Sequence, residues 1–360
     1  MPTCHQHHSG QGKPANTDVI VGFNSAPGAS ERALIDGVGG AVNGTFSIIP
    51  AMSATVPATA IKGLQANPNV AYVEVDGYKE LYNDSSVGEL QWGTNRIDAE
   101  AVWDAVGGNT GAGVRVADLD TGIDASHPDL AANVIEAWSV AGRKSDASNP
   151  KLGAADTNGH GTATAGVIAA VRGNGGVVGV APDADIIAIQ VSKTSRLKLS
   201  DIVDGIELAI ILNAQVINMS FGGGESSAEN AALQAAAAAG IVLVASAGNS
   251  SGGSVGYPAA NPNVIAVSSA AINDSLSSFS GVGSEVELIG SGSNIYTTYK
   301  DGTYVHINGT SFSSPQVAGV AALVIASGVT DAAAVRAKLS STAEDIGLSA
   351  TQQGNGLVRC

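Results

Sequence analysis

The stretch VRVADLDTG at residues 114–122 decides the fold of the larger part of this chain. A mostly apolar segment at residues 114–119 predicts a buried strand, and Asp120 follows at its carboxyl end before a Thr-Gly turn. Further patterns alternate after it, with helices predicted at 160–171, 199–214 and 310–327 and strands at 216–221 and 241–248. Pro315 is expected inside the first turn of the last helix, where its missing N–H has no consequence. Such alternation predicts an α/β fold with a mostly parallel sheet, whose ligands bind at the carboxyl ends of strands.

Three residues in this part of the chain could form an activated serine nucleophile. They are Asp120, His160 in NGHGT (residues 158–162) and Ser311 in GTSFSSP (residues 309–315). A serine hydroxyl attacks poorly until an imidazole takes its proton, and the imidazole needs a carboxylate to fix its tautomer. His160 opens the predicted helix, whose dipole we expect to favour the neutral imidazole that a general base requires.

Each of these residues also has a simpler interpretation. An Asp-Thr-Gly turn also marks aspartic proteases, but the single copy here cannot supply two carboxylates. Asp118 shares the face of Asp120 by the period of a strand, but it lies deeper and is interpreted as structural. Ser311 competes with neighbouring hydroxyls that could cap the helix, namely Thr310, Ser313 and Ser314.

The order Asp, His, Ser, with a glycine beside each, resembles the subtilisin-like serine proteases, including bacterial subtilisins and haloarchaeal halolysins. Other segments resemble the same family: residues 113–130, 173–182, 216–223 and 246–249. The resemblance spans about residues 18–357. It implies a three-layer domain and a serine endopeptidase of broad specificity that forms an acyl-enzyme on Ser311, with no organic cofactor.

The resemblance also implies further site residues. Asn249, with the Ser311 N–H, is expected to hold the oxyanion. An extended peptide substrate is expected to pair with backbone on two sides and to place a large apolar or aromatic side chain in a pocket. The residues assigned to this surface are Ser220, Phe221, Gly222, Leu199, Ser246, Ala247, Gly248 and Gly256.

The N-terminal part reads as a separate module. Residues 18–76 show a βαββαβ order typical of a ferredoxin-like fold and resemble the propeptide of the family, a folding chaperone and inhibitor. We predict a disordered tail at 1–17, a propeptide domain at 18–82, a linker at 83–91 and the catalytic domain at 92–360. Self-cleavage is expected between Tyr82 and Asn83, with Leu81 as the nearest alternative.

A structural calcium ion is the one metal that the resemblance implies. Asp129 in SHPDL matches a carboxylate ligand of the family, and the glycine-rich loop that follows residue 170 could add carbonyl oxygens. The predicted ligands are Asp129, Val171, Gly173, Gly175 and Val177.

Four departures from the family pattern lie near the site. Ala163 and Gln316 stand where the family usually has histidines, Phe312 replaces a methionine, and Gly-Ser-Gly at residues 290–292 replaces an Ala-Pro-Gly turn. None of them removes a catalytic group, but they put the geometry beside Ser311 in question.

Composition limits the other possibilities. Asp and Glu outnumber Lys and Arg by 32 to 17, which argues against nucleic acid or an anionic membrane as partner and fits either a salt-rich habitat or ordinary solubility. No apolar run approaches 18 residues, and Cys4 and Cys360 at opposite ends do not suggest a structural disulfide. We expect a secreted monomer, although no signal peptide is visible. A non-catalytic binding protein and an esterase are the rival functions.

Overall fold

The computed structural model describes residues 16–45, 50–75, 91–105, 107–141 and 153–360. They form two compact units, one within residues 1–83 and the other within residues 84–360. The predicted cleavage point at Tyr82 and Asn83, nearly all of the predicted linker, and Cys4 lie outside the described residues. Within these ranges, no helix combines the length and apolarity needed to cross a membrane.

The smaller unit is a four-stranded antiparallel sheet with two helices. Its elements are β1 (Asn16–Phe23), α1 (Ala29–Gly37), β2 (Ala41–Thr45), β3 (Ala51–Pro57), α2 (Ile61–Gln65) and β4 (Val70–Val75), in the sheet order β2-β3-β1-β4. Alternate residues of β1, namely Val19, Val21 and Phe23, are buried against the helices because strand side chains alternate between faces. The predicted βαββαβ order is present, and β1 begins two residues before the predicted start of this domain at residue 18.

The larger unit is built on a seven-stranded sheet in which every neighbouring pair is parallel. Its order is β11-β10-β9-β8-β5-β7-β6. The strands are β5 (Arg115–Asp120), β6 (Val134–Ser139), β7 (Asp185–Gln190), β8 (Val216–Met219), β9 (Val242–Ser246), β10 (Val264–Ala270) and β11 (Val286–Ser291). The sheet predicted from the alternating pattern is thus confirmed.

Helices cover both faces of this sheet and give three layers. One face packs against α5 (His160–Ala169) and α8 (Thr310–Ala326), and the other against α6 (Leu199–Ile211) and α7 (Ser227–Ala238). Strand β5 contributes Val116 to the first core and Ala117 and Leu119 to the second. Because side chains alternate along a strand, Asp118 and Asp120 face α5 and α8.

Smaller elements complete this unit. They are α3 (Trp92–Arg96), α4 (Ala99–Trp103), a hairpin of β12 (Ile295–Tyr299) and β13 (Thr303–Ile307), α9 (Ala332–Thr342) and α10 (Ala350–Gln353). The C-terminal segment returns to the sheet. The Leu357 N–H donates to the Glu344 carbonyl, the Leu357 carbonyl accepts from the Glu344 N–H, and the Val358 N–H donates to the Ile289 carbonyl. Leu357 and Val358 are fully buried.

Helix α8 corrects one sequence prediction. Pro315 was expected inside the first turn, where its missing N–H has no consequence, but it is the sixth residue of the helix. In an α-helix the N–H of residue 315 would bond the carbonyl of residue 311, so the proline leaves the Ser311 carbonyl without its helical donor. The hydroxyl of Ser220 replaces that donor, at 2.9 Å from the Ser311 carbonyl oxygen.

Candidate active site

A carboxylate and an imidazole meet at the carboxyl end of β5. His160 Nδ1 lies 2.8 Å from Asp120 Oδ1 and 2.9 Å from Oδ2, and Asp120 is almost fully buried. The N–H of Thr121 also donates to Asp120 Oδ1 at 2.6 Å. A carboxylate held in this way fixes the proton of His160 on Nδ1 and leaves Nε2 as the acceptor that a general base needs.

The ionisation of His160 differs from the sequence prediction. Burial alone would lower the pKa of His160, but the charge of Asp120 and the hydrogen bond to it, with added charge from Asp118 and Asp156, raise the pKa to about 9. The expectation that the helix dipole keeps the imidazole neutral is therefore wrong. A full negative charge in contact outweighs the partial charge of a helix terminus.

Asp156 is a site residue that sequence reasoning missed. Its carboxylate accepts from the N–H groups of Asn158, Gly159 and Thr162 and from the Thr162 and Thr121 hydroxyls, at 2.7–3.0 Å. It thereby satisfies donors at the start of α5, where a helix has no internal acceptors. The signal in the sequence was an aspartate four residues before the helix, which is typical of turns and caps.

The glycines around His160 allow close packing within the protein. A Cβ on Gly159, whose φ is +105°, would lie 2.2 Å from the ring of Tyr299, and a Cβ on Gly161 would lie 2.2 Å from the Gly122 carbonyl oxygen. The Tyr299 hydroxyl donates to the Asn158 carbonyl at 2.9 Å. Glycine at these two positions therefore lets the chain around His160 pack closely against Tyr299 and Gly122.

Ser311 is the second residue of α8 and lies beside the end of β8. Its hydroxyl donates to the Ser220 carbonyl at 3.1 Å, while the Ser220 hydroxyl donates to the Ser311 carbonyl. The ring of the next residue, Phe312, packs 5.6 Å from the His160 ring between centroids. The structure thus brings the start of α8 against the start of α5, although the Ser311 hydroxyl points to Ser220 in this arrangement.

The amide of Asn249 is oriented by Thr310. The N–H and the hydroxyl of Thr310 both donate to Asn249 Oδ1 at 3.0 Å, and the Thr310 hydroxyl accepts from the Gly248 N–H at 3.2 Å. With Oδ1 engaged, Nδ2 is the group that Asn249 presents. A Cβ on Gly309 would lie 3.4 Å from Nδ2, so this donor lies beside the chain that enters α8.

Three of the segments predicted to bind substrate adjoin one another. Gly223 and Tyr257 form an antiparallel bridge, and the Gly256 N–H reaches the Ala247 carbonyl at 3.4 Å. The segments 220–223, 246–248 and 256–257 therefore adjoin one another. Leu199 is the first residue of α6 and is about two-fifths exposed, and Leu197 packs against the core on that face.

Comparison with known proteins places this site in a family. The model of the subtilase family matches residues 111–356. Subtilisin NAT from Bacillus subtilis subsp. natto is 40% identical over 350 residues, which cover 94% of this chain and 88% of that protein. Thermitase from Thermoactinomyces vulgaris is 39% identical over 279 residues, which cover 77% and 96%.

The chain belongs to the subtilase family. It is therefore a serine endopeptidase that acts on polypeptides. The sequence prediction of family and enzyme class is confirmed.

The departures from the family pattern are accommodated by packing. Gln316 is buried, accepts from the Ser291 N–H at 2.7 Å and donates to the Gly93 carbonyl at 2.8 Å, so its amide ties α8 to β11 and α3. Ala163 and Phe312 are buried in one small cluster with Ile295. A Cβ on Gly292 would lie 2.3 Å from two serine hydroxyl oxygens, which accounts for the small residue at that turn.

The residues around Asp129 fit a cation held through a single carboxylate oxygen. Asp129 is fully buried, and its Oδ2 accepts from the Val177 N–H and the Tyr304 hydroxyl, each at 2.9 Å. Its Oδ1 has no hydrogen-bond partner within the described part of the chain. No cluster of three acidic, histidine or cysteine side chains suited to a metal occurs among the described residues, so carbonyl oxygens would have to supply the other ligands.

Proposed function

We propose that Asp120, His160 and Ser311 form the catalytic triad of this endopeptidase, with Asn249 and the Ser311 N–H as oxyanion donors. The observation that carries the proposal is the double contact of His160 Nδ1 with the buried Asp120 carboxylate, which leaves Nε2 as acceptor next to the start of α8. Asn249 presents Nδ2 at the same place because Thr310 engages its oxygen.

The reaction follows from these positions. The Ser311 hydroxyl turns from the Ser220 carbonyl to His160 Nε2, which takes the proton as Oγ attacks the peptide carbonyl carbon. The oxyanion receives hydrogen bonds from Asn249 Nδ2 and the Ser311 N–H. The imidazolium then protonates the amine as the C–N bond breaks. Water attacks the acyl-enzyme with His160 again as the base, and the acid product leaves as the C–Oγ bond breaks and the imidazolium returns the proton to Ser311 Oγ.

Two serine variants test the nucleophile. Ser311→Ala is expected to abolish casein digestion, while Ser313→Ala should retain it because the buried Ser313 hydroxyl has no hydrogen-bond partner among the described residues. Casein digestion by a folded Ser311→Ala protein would refute the assignment of the nucleophile.

A third variant tests the oxyanion donor. Asn249→Ala should lower kcat about 10²–10³-fold with little change in KM, the size of loss measured for such a donor in a related subtilisin.

We also propose a preference for a large apolar or aromatic residue before the cut. Support comes from the small residues in the adjoining segments 220–223, 246–248 and 256–257, namely Ser220, Gly222, Gly223, Ser246, Ala247, Gly248 and Gly256. A Cβ on Gly256 would lie only 3.3 Å from the Gly223 carbonyl oxygen. Gly256→Val should therefore lower kcat/KM for peptides with Phe or Tyr before the cut far more than for peptides with Ala there. An equal loss for both peptides would contradict the preference.

We infer that the chain is a self-processing proenzyme, exported and monomeric, with the smaller unit as its folding aid and inhibitor. Support comes from the ferredoxin-like order of this unit and its place before the catalytic domain. Intact mass spectrometry of the refolded chain should show a cut between Tyr82 and Asn83, and none in Ser311→Ala. Processing elsewhere, or persistent full-length wild-type chain with casein activity, would contradict this proposal.

Calcium is proposed as a structural ion at Asp129 with the carbonyls of Val171, Gly173, Gly175 and Val177. The buried, unpartnered Oδ1 of Asp129 supports it, and a bound cation would neutralise that charge and brace the loop. In the Ser311→Ala background, 5 mM calcium should raise Tm, and Asp129→Asn should remove the increase. Asp331→Asn is the control. Asp331 caps α9, far from Asp129 in the chain, and asparagine can also cap a helix, so this variant should respond to calcium like the parent.

A further inference from the structure

Asp118 is a buried carboxylate to which the triad assigns no role. It lies on β5 two residues before Asp120, and its exposed fraction is 3%. Its backbone neighbours in the sheet are Ala188 on β7 and Asn218 on β8, both uncharged. Because no lysine or arginine of the described residues forms an ion pair with it, keeping this carboxylate in the interior costs free energy that an apolar or amide side chain would not.

Hydrogen bonds from Asp118 lead toward both His160 and Ser311. On one side, the Thr164 hydroxyl donates to Oδ2 at 2.7 Å, and Thr164 lies one turn after His160 on α5, with its hydroxyl 3.3 Å from the His160 carbonyl oxygen. On the other side, Asn218 Nδ2 donates to Oδ1 at 2.8 Å and contacts the Ser220 hydroxyl at 3.0 Å. That hydroxyl in turn holds the Ser311 carbonyl.

The charged groups around this network are few. Asp120 shares the β5 face, His160 begins α5, and Asp156 precedes α5 and holds its first turn. The residues facing the site from the start of α8 and from β12 carry no charge; they are Ser311, Phe312, Ser314, Thr297, Thr298 and Tyr299. The charge of Asp118 therefore acts mainly on the Asp120–His160 pair.

We propose that Asp118 is a positioning residue of the triad, a second buried acid that ties the helix of His160 to the strand beside Ser311 and places negative charge behind the imidazole. The proposal rests on the triad roles given above and deepens them. It replaces the sequence interpretation of Asp118 as merely structural, because the hydrogen bonds that its carboxylate accepts reach the helix of His160 through Thr164 and the Ser311 carbonyl through Asn218 and Ser220.

The ionisation of the two groups supports this role. Burial and then the charge of Asp120 raise the pKa of Asp118 to about 7, against the hydrogen bonds of Asn218 and Thr164, which lower it. The charge of Asp118 is one of the groups that raise the pKa of His160 to about 9. Asp118 is thus ionised over the pH range in which His160 gives up its proton.

Asp118→Asn removes the charge and keeps the packing. The amide oxygen can accept from Asn218, and the amide nitrogen can donate to the Thr164 hydroxyl, which reverses its role. The Ser311→Ala background prevents self-digestion. In it, the titration of His160 followed by NMR should move down by about one pH unit, as expected when a nearby negative charge that stabilises the imidazolium is lost. Asp301→Asn is the matched control, since Asp301 is exposed and its left-handed backbone suits asparagine. An unmoved His160 titration in Asp118→Asn would overturn the proposal.

Kinetics of the active chain test whether Asp118 positions His160 and Ser311. Asp118→Asn should move the acidic limb of kcat/KM to lower pH by the same shift and nearly keep the plateau. Asp118→Val, which cuts both paths, should move the limb equally and lower kcat tenfold or more with KM within twofold. An unchanged kcat and limb in a folded Asp118→Val protein would overturn the proposal. If the His160 titration shifts in Asp118→Asn but the chain with Ser311 intact cleaves no peptide, the result would count against the triad roles. It would still support the link between Asp118 and His160.

Discussion

At the scale of the residue, the protonation of His160 sets the pH at which the site can work. In the proposed mechanism the imidazole accepts the Ser311 proton only when neutral, and the pKa of His160 is raised to about 9 in the free chain. We therefore expect kcat/KM to fall tenfold per pH unit below about pH 9 and to level off above it. Rates with a chromogenic peptide between pH 6 and 10.5 measure this, with circular dichroism at each pH as a control for folding. A midpoint at the ordinary histidine value of about 6.5 would show that the acids around His160 do not act together.

The residues proposed for the triad were chosen from sequence by the family resemblance, and each one also lies at a local landmark. Asp120 ends an apolar strand, His160 starts a helix between glycines, and Ser311 precedes a long buried helix. The pKa of His160 could not be predicted in the same way. Its main determinants, Asp120, Asp118 and Asp156, come from a strand and a loop up to 42 residues away in the chain, and their distances to the imidazole are set only by the packing of β5 against α5.

At the scale of the element, the start of α5 depends on Asp156. The carboxylate serves five donors there, so Asp156→Ala should cost about 2–4 kcal/mol of unfolding free energy, more than loss of a simple cap. The same change should lower kcat, because the backbone of His160 loses its anchor. Urea unfolding in the Ser311→Ala background and kcat in the active chain measure the two effects. Asp201→Ala at the exposed start of α6 is the comparison. An equal loss of unfolding free energy in both variants would show that Asp156 stabilises the start of α5 no more than an ordinary first-turn acid does.

The start of α8 offers a second test at this scale. Ser220→Ala removes the donor to the Ser311 carbonyl and should cost about 1–3 kcal/mol, since the carbonyl is left without a partner. Pro315→Ala restores the helical N–H that could take its place. The double variant should therefore be more stable than the sum of the two single effects predicts. A double-mutant cycle from urea unfolding measures this coupling, and strict additivity would show that the Ser220 hydroxyl does not substitute for the missing N–H.

The hydrogen bond between Ser220 and Ser311 could not be predicted from the sequence, although the helix that contains Ser311 could. The length and position of α8 follow from its apolar run, and a start at residue 310 makes Pro315 the sixth residue, past the first turn. The sequence does not show which group hydrogen-bonds the carbonyl that this proline leaves without its helical donor. The compensating hydroxyl belongs to Ser220, which directly follows β8 and lies 91 residues earlier in the chain, and the packing of α8 on the sheet brings the two together.

At the scale of the whole molecule, the fold was predictable because alternating strands and helices leave few topologies. The contacts of the last residues were not. Arg96 pairs with Asp274 and Glu344, and Arg359 pairs with Glu344 and Asp98, so residues from three distant parts of the chain share one ionic cluster. Charge patterning along the sequence carries no signal for such a cluster, since its members are joined only after the C-terminal segment has packed on the sheet.

The net charge of −15 leads to a prediction for the molecule as a whole. Repulsion among surface carboxylates weakens the compact state and is screened by salt, since the Debye length falls from about 10 Å at 0.1 M to about 3 Å at 1 M. The ionic cluster at Arg96 acts in the opposite direction, but its side chain is only 21% exposed and is screened less. We therefore expect Tm of the Ser311→Ala protein to rise by several degrees between 0.05 and 1 M NaCl at constant calcium. Arg96→Ala should lower Tm at every salt concentration and keep the upward slope. A Tm that falls with salt in the parent and no longer does so in Arg96→Ala would show that the cluster, and not the overall repulsion, governs the response to ionic strength.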